Sequence, residues 1–340
     1  MRKILYAFLI LFFFNSQAWS AYPSYTVCPS SCDFTTLHGA VADIIANHAT
    51  LGSPTTITIS GNWSGSPDTT AVDTSGITAS SSNTLTITTT GLARHNGVYS
   101  TSYYILKPST GTAMSVNSAY TTVDGLEFNP TADGADGLDV GNFTNITVSN
   151  NIFKGGNLSG NANRGILANV GGYAALIYNN IIYSMSQHDG IYWAANSGGN
   201  TCVIYNNTVY GGIIGSRGIV FNEGTFTAFN NIANNNNGGD YVGAPQTHGT
   251  NISQDASSPD GAAYQGANGT ATFVSSSAGN FNLSPSDTAA KGRGANLSGT
   301  FTTDITGALR TSPWDIGAFK FIYNNQTIIV NATVVNATIN

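Results

Sequence analysis

The sequence predicts an all-β fold: a right-handed parallel β-helix, or solenoid, with a short N-terminal capping helix. Three observations carry this prediction. A phrase ending in Asn-Asn recurs at nearly constant spacing, a Gly-apolar phrase keeps the same beat, and the composition is polar yet almost uncharged. The first phrase is Val148-Ser149-Asn150-Asn151, then Ile177-Tyr178-Asn179-Asn180, Ile204-Tyr205-Asn206-Asn207 and Ala228-Phe229-Asn230-Asn231, in steps of 29, 27 and 24 residues. Such periods belong to stacked repeats. The second phrase is Gly137-Leu138, Gly165-Ile166, Gly190-Ile191 and Gly218-Ile219. Two phrases in fixed order require at least two strands per rung. Of the 340 residues, 8% are charged and 11% aromatic. Ordinary globular chains carry about 25% charged residues, and disordered ones few aromatics, so this chain has a packed core and few long helices.

Strand phase follows from the repeats. Counting back by two from the first Asn of each pair gives Val148, Ile177, Ile204 and Ala228, and two further back Ile146, Ala175, Cys202 and Phe226. These positions share one face at period two and point inward, which makes Cys202 a core residue. Parallel rungs stack about 4.8 Å apart. An inward Asn at the same place in each rung can pass its amide N–H to the next carbonyl, so Asn151, Asn180, Asn207 and Asn231 are expected to form a structural ladder. Val123-Asp124-Gly125-Leu126-Glu127-Phe128 reads as a degenerate earlier copy. Thr55-Thr56-Ile57-Thr58-Ile59, Leu85-Thr86-Ile87-Thr88 and Tyr103-Tyr104-Ile105 alternate as earlier rungs would.

The ends differ from the middle. Arg2 and Lys3 precede an apolar run over residues 4–14, and Ala18-Trp19-Ser20 offers a small-residue cleavage site, so residues 1–20 read as an export signal. The run is too short to span a bilayer comfortably. Residues 21–54 hold the capping helix: Leu37, Val41, Ile44 and Ile45 fall on one helical face, with Asp33 as the expected N-cap. Cys28 and Cys32 read as a local disulfide of an oxidising compartment. The β-helix and its closing element take residues 55–320, and residues 321–340 form a tail. The Asn-x-Ser/Thr triplets, such as Asn62, Asn142, Asn145 and Asn251, are as frequent as chance makes them in this composition and are not read as glycosylation.

The repeats resemble those of the pectin-lyase-like superfamily of parallel β-helix proteins over about residues 25–320. The C-terminal run of Asn280-Phe281-Asn282-Leu283-Ser284-Pro285, Asp304-Ile305-Thr306-Gly307 with Arg310, and Trp314-Asp315-Ile316-Gly317-Ala318-Phe319 resembles the closing element of exported bacterial members. Lys320 stands where those often have an acid. Arg94-His95-Asn96-Gly97 with Tyr99 and Tyr104 resembles a phrase of similar uncharacterised chains. On physical grounds the segment from Asp304 to Phe319 is expected to cover the last rung, with Arg310 paired to Asp304 or Asp315 to pin it. The series that marks polygalacturonases and the Arg-bearing motif of pectate lyases are missing, and fold does not license an activity.

Chemistry is sought where rungs align charged residues. The position before each Gly-apolar step holds Asp136, Arg164, Asp189 and Arg217, alternating in sign. His188 precedes Asp189, and Asp139 and Tyr192 lie two residues after the glycine on the outward face. Cross-strand pairing alone accounts for alternating charges. The functional reading is a saccharide groove, in which Tyr192 stacks on sugar while Asp139, Arg164 and Arg217 bind hydroxyls or uronic carboxylates. A polysaccharide lyase or glycoside hydrolase would use Asp136 and Asp189 as its carboxyl groups, with His188 carrying a proton. Ca²⁺ is the cofactor to consider, on Asp133, Asp136 and Asp139. The net charge of −6 and pI near 5.1 argue against nucleic acid and anionic membrane as partners. A secreted or cell-surface protein binding glycans, or serving a structural role, is the first expectation, and a carbohydrate-active enzyme the second.

Overall fold

One circuit of three short strands, repeated and stacked, accounts for most of the chain. The computed structural model describes residues 24–156, 164–168, 174–194 and 201–322. The export signal expected at residues 1–20 and the part of the expected tail from 323 onward lie outside them. A typical circuit runs from Leu138–Val140 to Thr144–Ser149 to Ile152–Lys154, then steps up one rung to Ile166–Ala168. Among the described residues the circuits build a first sheet of nine strands and a second and third of seven each. All three are parallel throughout. The fold is an all-β parallel solenoid with one α-helix near its N-terminus.

The repeats set the register. Val148, Ile177, Ile204 and Ala228 are direct partners in the first sheet. Cys202 partners Ala175 and Phe226 and is buried. In the second sheet Phe128, Phe153, Ile182, Val209 and Ala233 form the inward column, and the rings of Phe128 and Phe153 stack at 4.7 Å.

Between the first and second sheets the chain turns on the Asn-Asn pairs. The two asparagines have separate tasks. The first of each pair adopts a left-handed backbone, with φ between 50° and 59° at Asn150, Asn179, Asn206 and Asn230, a conformation Asn tolerates better than most residues. The second points inward and bonds along the stack. Asn151 Nδ2 donates to Asn180 Oδ1 at 3.1 Å, Asn180 to Asn207 at 3.0 Å, Asn207 to Asn231 at 3.1 Å and Asn231 to Asn251 at 2.8 Å. Each Oδ1 also accepts the backbone N–H of the preceding ladder residue. The column thus extends one rung past the sequence repeats, to Asn251, and ends on the Asp260 carboxylate.

The helix spans Leu37–His48 and packs over the first strands, with Leu37, Ala40, Val41 and Ile44 buried. Its N-cap is Thr36, whose Oγ1 accepts from Gly39 N at 3.1 Å. Asp68 takes the Leu37 N–H at 2.8 Å. Asp33, expected to cap, instead bonds Thr26; it lies a full turn too early for the first free amide. The disulfide joins Cys28 to Cys32.

The C-terminal segment corrects a second expectation. It does not cover the last rung but lies along the flank, over the outer face of the second sheet. Ile305, Ala318 and Phe319 pack on Ile152 and Ile181, while Ile316, Leu283 and Ala290 pack on Ile232 and Ile252. The first asparagines of the pairs anchor it: Asn179 donates to Thr303 O at 2.8 Å, Asn206 to Asp315 O and Gly317 O at 3.0 Å, and Asn230 to Ala295 O at 2.9 Å. Arg310 forms no ion pair with Asp304 or Asp315. Its buried guanidinium donates to four backbone carbonyls and to Asn179 Oδ1, and burial lowers its pKa to about 10. Carbonyls of its own segment take the guanidinium in place of the two carboxylates, because both carboxylates are already taken by backbone N–H groups. The Arg94 phrase serves the same flank: His95 bonds Asn150 O at 2.8 Å, Arg94 pairs with Asp124 at 2.6 Å, and Gly97 sits against the Phe319 ring.

Candidate functional site

Four successive rungs enter the third sheet through a glycine, Gly137, Gly165, Gly190 and Gly218, because nothing larger fits. A Cβ on Gly137, Gly165 or Gly190 would lie 2.7–2.8 Å from the carbonyl of the next rung's glycine and within 2.6 Å of an inward Phe153, Ile182 or Val209. The tight passage puts the preceding residue of these four rungs at the same corner. Asp136, Arg164, Asp189 and Arg217 therefore stand in one column, joined by the bonds from Gly137 N to Arg164 O, Gly165 N to Asp189 O and Gly190 N to Arg217 O.

The column is paired within itself. Arg217 holds Asp189 through two charge-assisted bonds, Nε to Oδ1 at 2.6 Å and Nη2 to Oδ2 at 2.8 Å, and the side chain of Asp189 is 1% exposed. Bidentate pairing of this kind is among the stronger polar contacts a protein makes, and it holds the Arg217 pKa above its ordinary value. Arg164 lies between two carboxylates more loosely, 3.7 Å from Asp136 and 3.9 Å from Asp189, while its backbone N–H donates to Asp136 Oδ1 at 2.9 Å. Burial raises the Asp136 pKa to about 6, against the pull of Arg164.

The outward residues adjoin this column. Tyr192 lies between Leu167 and Val220 in register. Its ring faces the guanidiniums of Arg164, 5.0 Å away, and Arg217, 5.7 Å away. The stacking surface expected to meet sugar is thus directed at protein cations, since a ring between two cations is better placed against them than against solvent. Asp139 is two strands from Tyr192. Its Oδ1 is buried without a hydrogen-bond partner, and burial raises its pKa. His188 is half-buried beside the column, with its pKa lowered by burial and then by Arg164. Its backbone carbonyl accepts from Ser216 Oγ. Among the described residues no group of three or more His, Cys, Asp or Glu converges as a metal would require. Asp136 holds the corner before the strand and Asp139 lies within it. No described helix is long and apolar enough to cross a membrane.

A concavity opens at the same corner, beyond Arg217, and the sequence reading did not find it. The cavity measures about 560 Å³, within the range of small-ligand sites. Its origin is a difference in turn length. The connection from the second to the third sheet takes residues 211–218 in one rung and only 235–240 in the next. The longer turn overhangs, and Ile213 and Ile214 form the projecting wall, 36% and 56% exposed. Ile214 has φ of 52°, a left-handed backbone that is costly for a β-branched residue and that often marks functional positions. The rim carries Asn235, Asn237, Gln254 and Asp255. The floor is a closed network in which Asp240 accepts from Asn236 Nδ2 at 2.9 Å and from Gln254 N at 2.7 Å. Comparing turn lengths between consecutive Gly-apolar phrases would have located the step.

No family model matches the chain, and no curated protein matches it. Solved structures do. An alginate lyase from Paenibacillus sp. str. FPU-7 aligns with 14% identity and a TM-score of 0.40, covering 67% of this chain and 87% of that one. A pectate lyase, Pel9A, aligns with 12% identity and a TM-score of 0.34, covering 88% and 96%. At these identities the likeness concerns fold alone.

Proposed function

We propose that this protein is an exported β-solenoid that binds glycans at the corner between its second and third sheets and does not turn them over. The observation that carries this reading is the pairing of charges at that corner. Asp189, Arg217 and Arg164 engage one another, so one carboxylate and both arginines that would clamp a uronate are committed to the fold. Beside them lies a cavity with apolar and amide walls, which suits binding of a hydroxyl-rich molecule. The apolar run at residues 4–14 and the Cys28–Cys32 disulfide support export.

The test is a panel of soluble oligosaccharides and polysaccharides, with and without Ca²⁺, read both for binding and for new chain ends. Binding without product supports the proposal. Release of unsaturated or reducing ends would replace it with a lyase or hydrolase. One observation favours that second reading. Asp136, with its pKa near 6, and Asp139, with an unbonded oxygen, are the carboxyl groups best placed to exchange protons.

A further inference from the structure

Resting on the glycan-binding reading, we infer that the cavity under Ile213 and Ile214 is the binding site and that its ligand is a neutral sugar unit rather than a uronate. The cavity spans three successive rungs, from the 211–218 turn through 235–240 to Gln254 and Asp255. Two rung steps of about 4.8 Å each make a length suited to one or two pyranose rings.

The chemistry of the lining has two parts. Ile213 and Ile214 present an exposed apolar wall. Exposed large apolar side chains on one wall of a concave polar site mark a contact surface, and the C–H face of a pyranose is the matching surface of a sugar. Asn235 and Gln254 also line the cavity, and each carries a side-chain amide. Neither amide has a hydrogen-bond partner among the described residues, and both are exposed. Each offers two donors and an acceptor, the set needed to bracket vicinal hydroxyls. Asn237 is held at the rim, its Oδ1 accepting from Gly215 N at 2.9 Å.

Charge decides which sugar. The ionisable groups lining the cavity are Asp240 and Asp255, both acidic. The nearest turn's cation, Arg217, packs its stem under Gly238 but gives its guanidinium to Asp189. A uronate carboxylate would enter a negative site with no free cation to meet it, and like charges at close range disfavour binding. Floor and rim are held because Asp240 and Asp255 each accept backbone N–H groups, so the site needs little ordering on binding.

The experiment titrates the full chain with neutral β-glucan and mannan oligosaccharides and, separately, with oligogalacturonate and alginate oligosaccharides. The same titrations use Ile214→Gly, which removes the wall at a backbone position glycine accepts, Gln254→Ala, and Leu92→Ala as a control at an exposed position outside the cavity. The expected result is saturable binding of a neutral oligosaccharide, weakened about tenfold or more by Ile214→Gly and by Gln254→Ala, with Leu92→Ala unchanged and thermal unfolding retained. Binding of uronates alone would overturn the neutral-sugar inference while leaving glycan binding intact. Neutral-sugar binding that ignores both cavity variants would overturn the site. No binding to any glycan would overturn the glycan reading and this inference with it.

Discussion

Two polar columns run along this solenoid at the same beat, and they differ in what they leave unbonded. The asparagine column from Asn151 to Asn251 is neutral and buried, and its amides are bonded to the next rung. The charged column from Asp136 to Arg217 is tight at one end and loose at the other, with 2.6 Å at Arg217 and 3.7 Å at Asp136. Both repeat because the fold repeats. The conspicuous column is saturated and therefore structural, and the places left for a ligand lie where the second column loosens or the turns change length.

The largest expected effect comes from breaking the neutral column. Asn207→Ala removes the acceptor of the Asn180 backbone N–H and the side-chain donor to the Ile177 carbonyl, in a wall that is 0% exposed. At about 1–3 kcal/mol per stranded buried group, a loss of about 3 kcal/mol or more is expected in denaturant unfolding. A loss below about 1 kcal/mol would show that water replaces the ladder.

A single carboxyl in an apolar column sharpens the comparison. On the outer face of the second sheet Glu127 stands between Ile105 and Ile152. It is buried, and the Ser100 N–H is its bonded partner. Burial raises its pKa from 4.5 to about 9. A raised folded-state value means that its contribution to stability is fully present below about pH 4.5 and is lost as pH rises through about 9. Thermal unfolding across that window is expected to fall with pH, and Glu127→Gln to flatten the fall. An unchanged slope would place the carboxyl in contact with water.

The charged column should respond less. Asp189→Asn leaves Arg217, whose side chain is 35% exposed, to recover part of its solvation, so a loss of about 1–2 kcal/mol is expected. A double-mutant cycle with Arg217→Leu should show the coupling directly. Tyr192→Leu, which removes the ring between two guanidiniums, should cost about 0.5–1 kcal/mol in the same assay.

Much of this architecture is legible in the sequence, and the gaps have physical reasons. The Asn-Asn and Gly-apolar phrases are visible because close packing leaves those positions few alternatives. The third strand of each rung is harder to see. Ile152-Phe153-Lys154 and Ile181-Ile182-Tyr183 are three residues long and buried or nearly so on both faces, so they lack the alternation that reveals a strand. The closing segment was expected at the end of the solenoid because it lies at the end of the chain. Its place on the flank is set by outward Ile152, Ile181 and Ile232, which strand phase alone does not expose. Asp136, Arg164, Asp189, Arg217 and Tyr192 do come together, but in contact with one another. The cavity is not legible in the sequence because it depends on a length difference between two turns and not on any residue pattern.

The most direct test of the account is calorimetric titration of the full chain with a neutral oligosaccharide while the mixture is followed for new chain ends. The account predicts saturation at one site per chain and no product. Product whose rate of appearance falls in Asp136→Asn would contradict it.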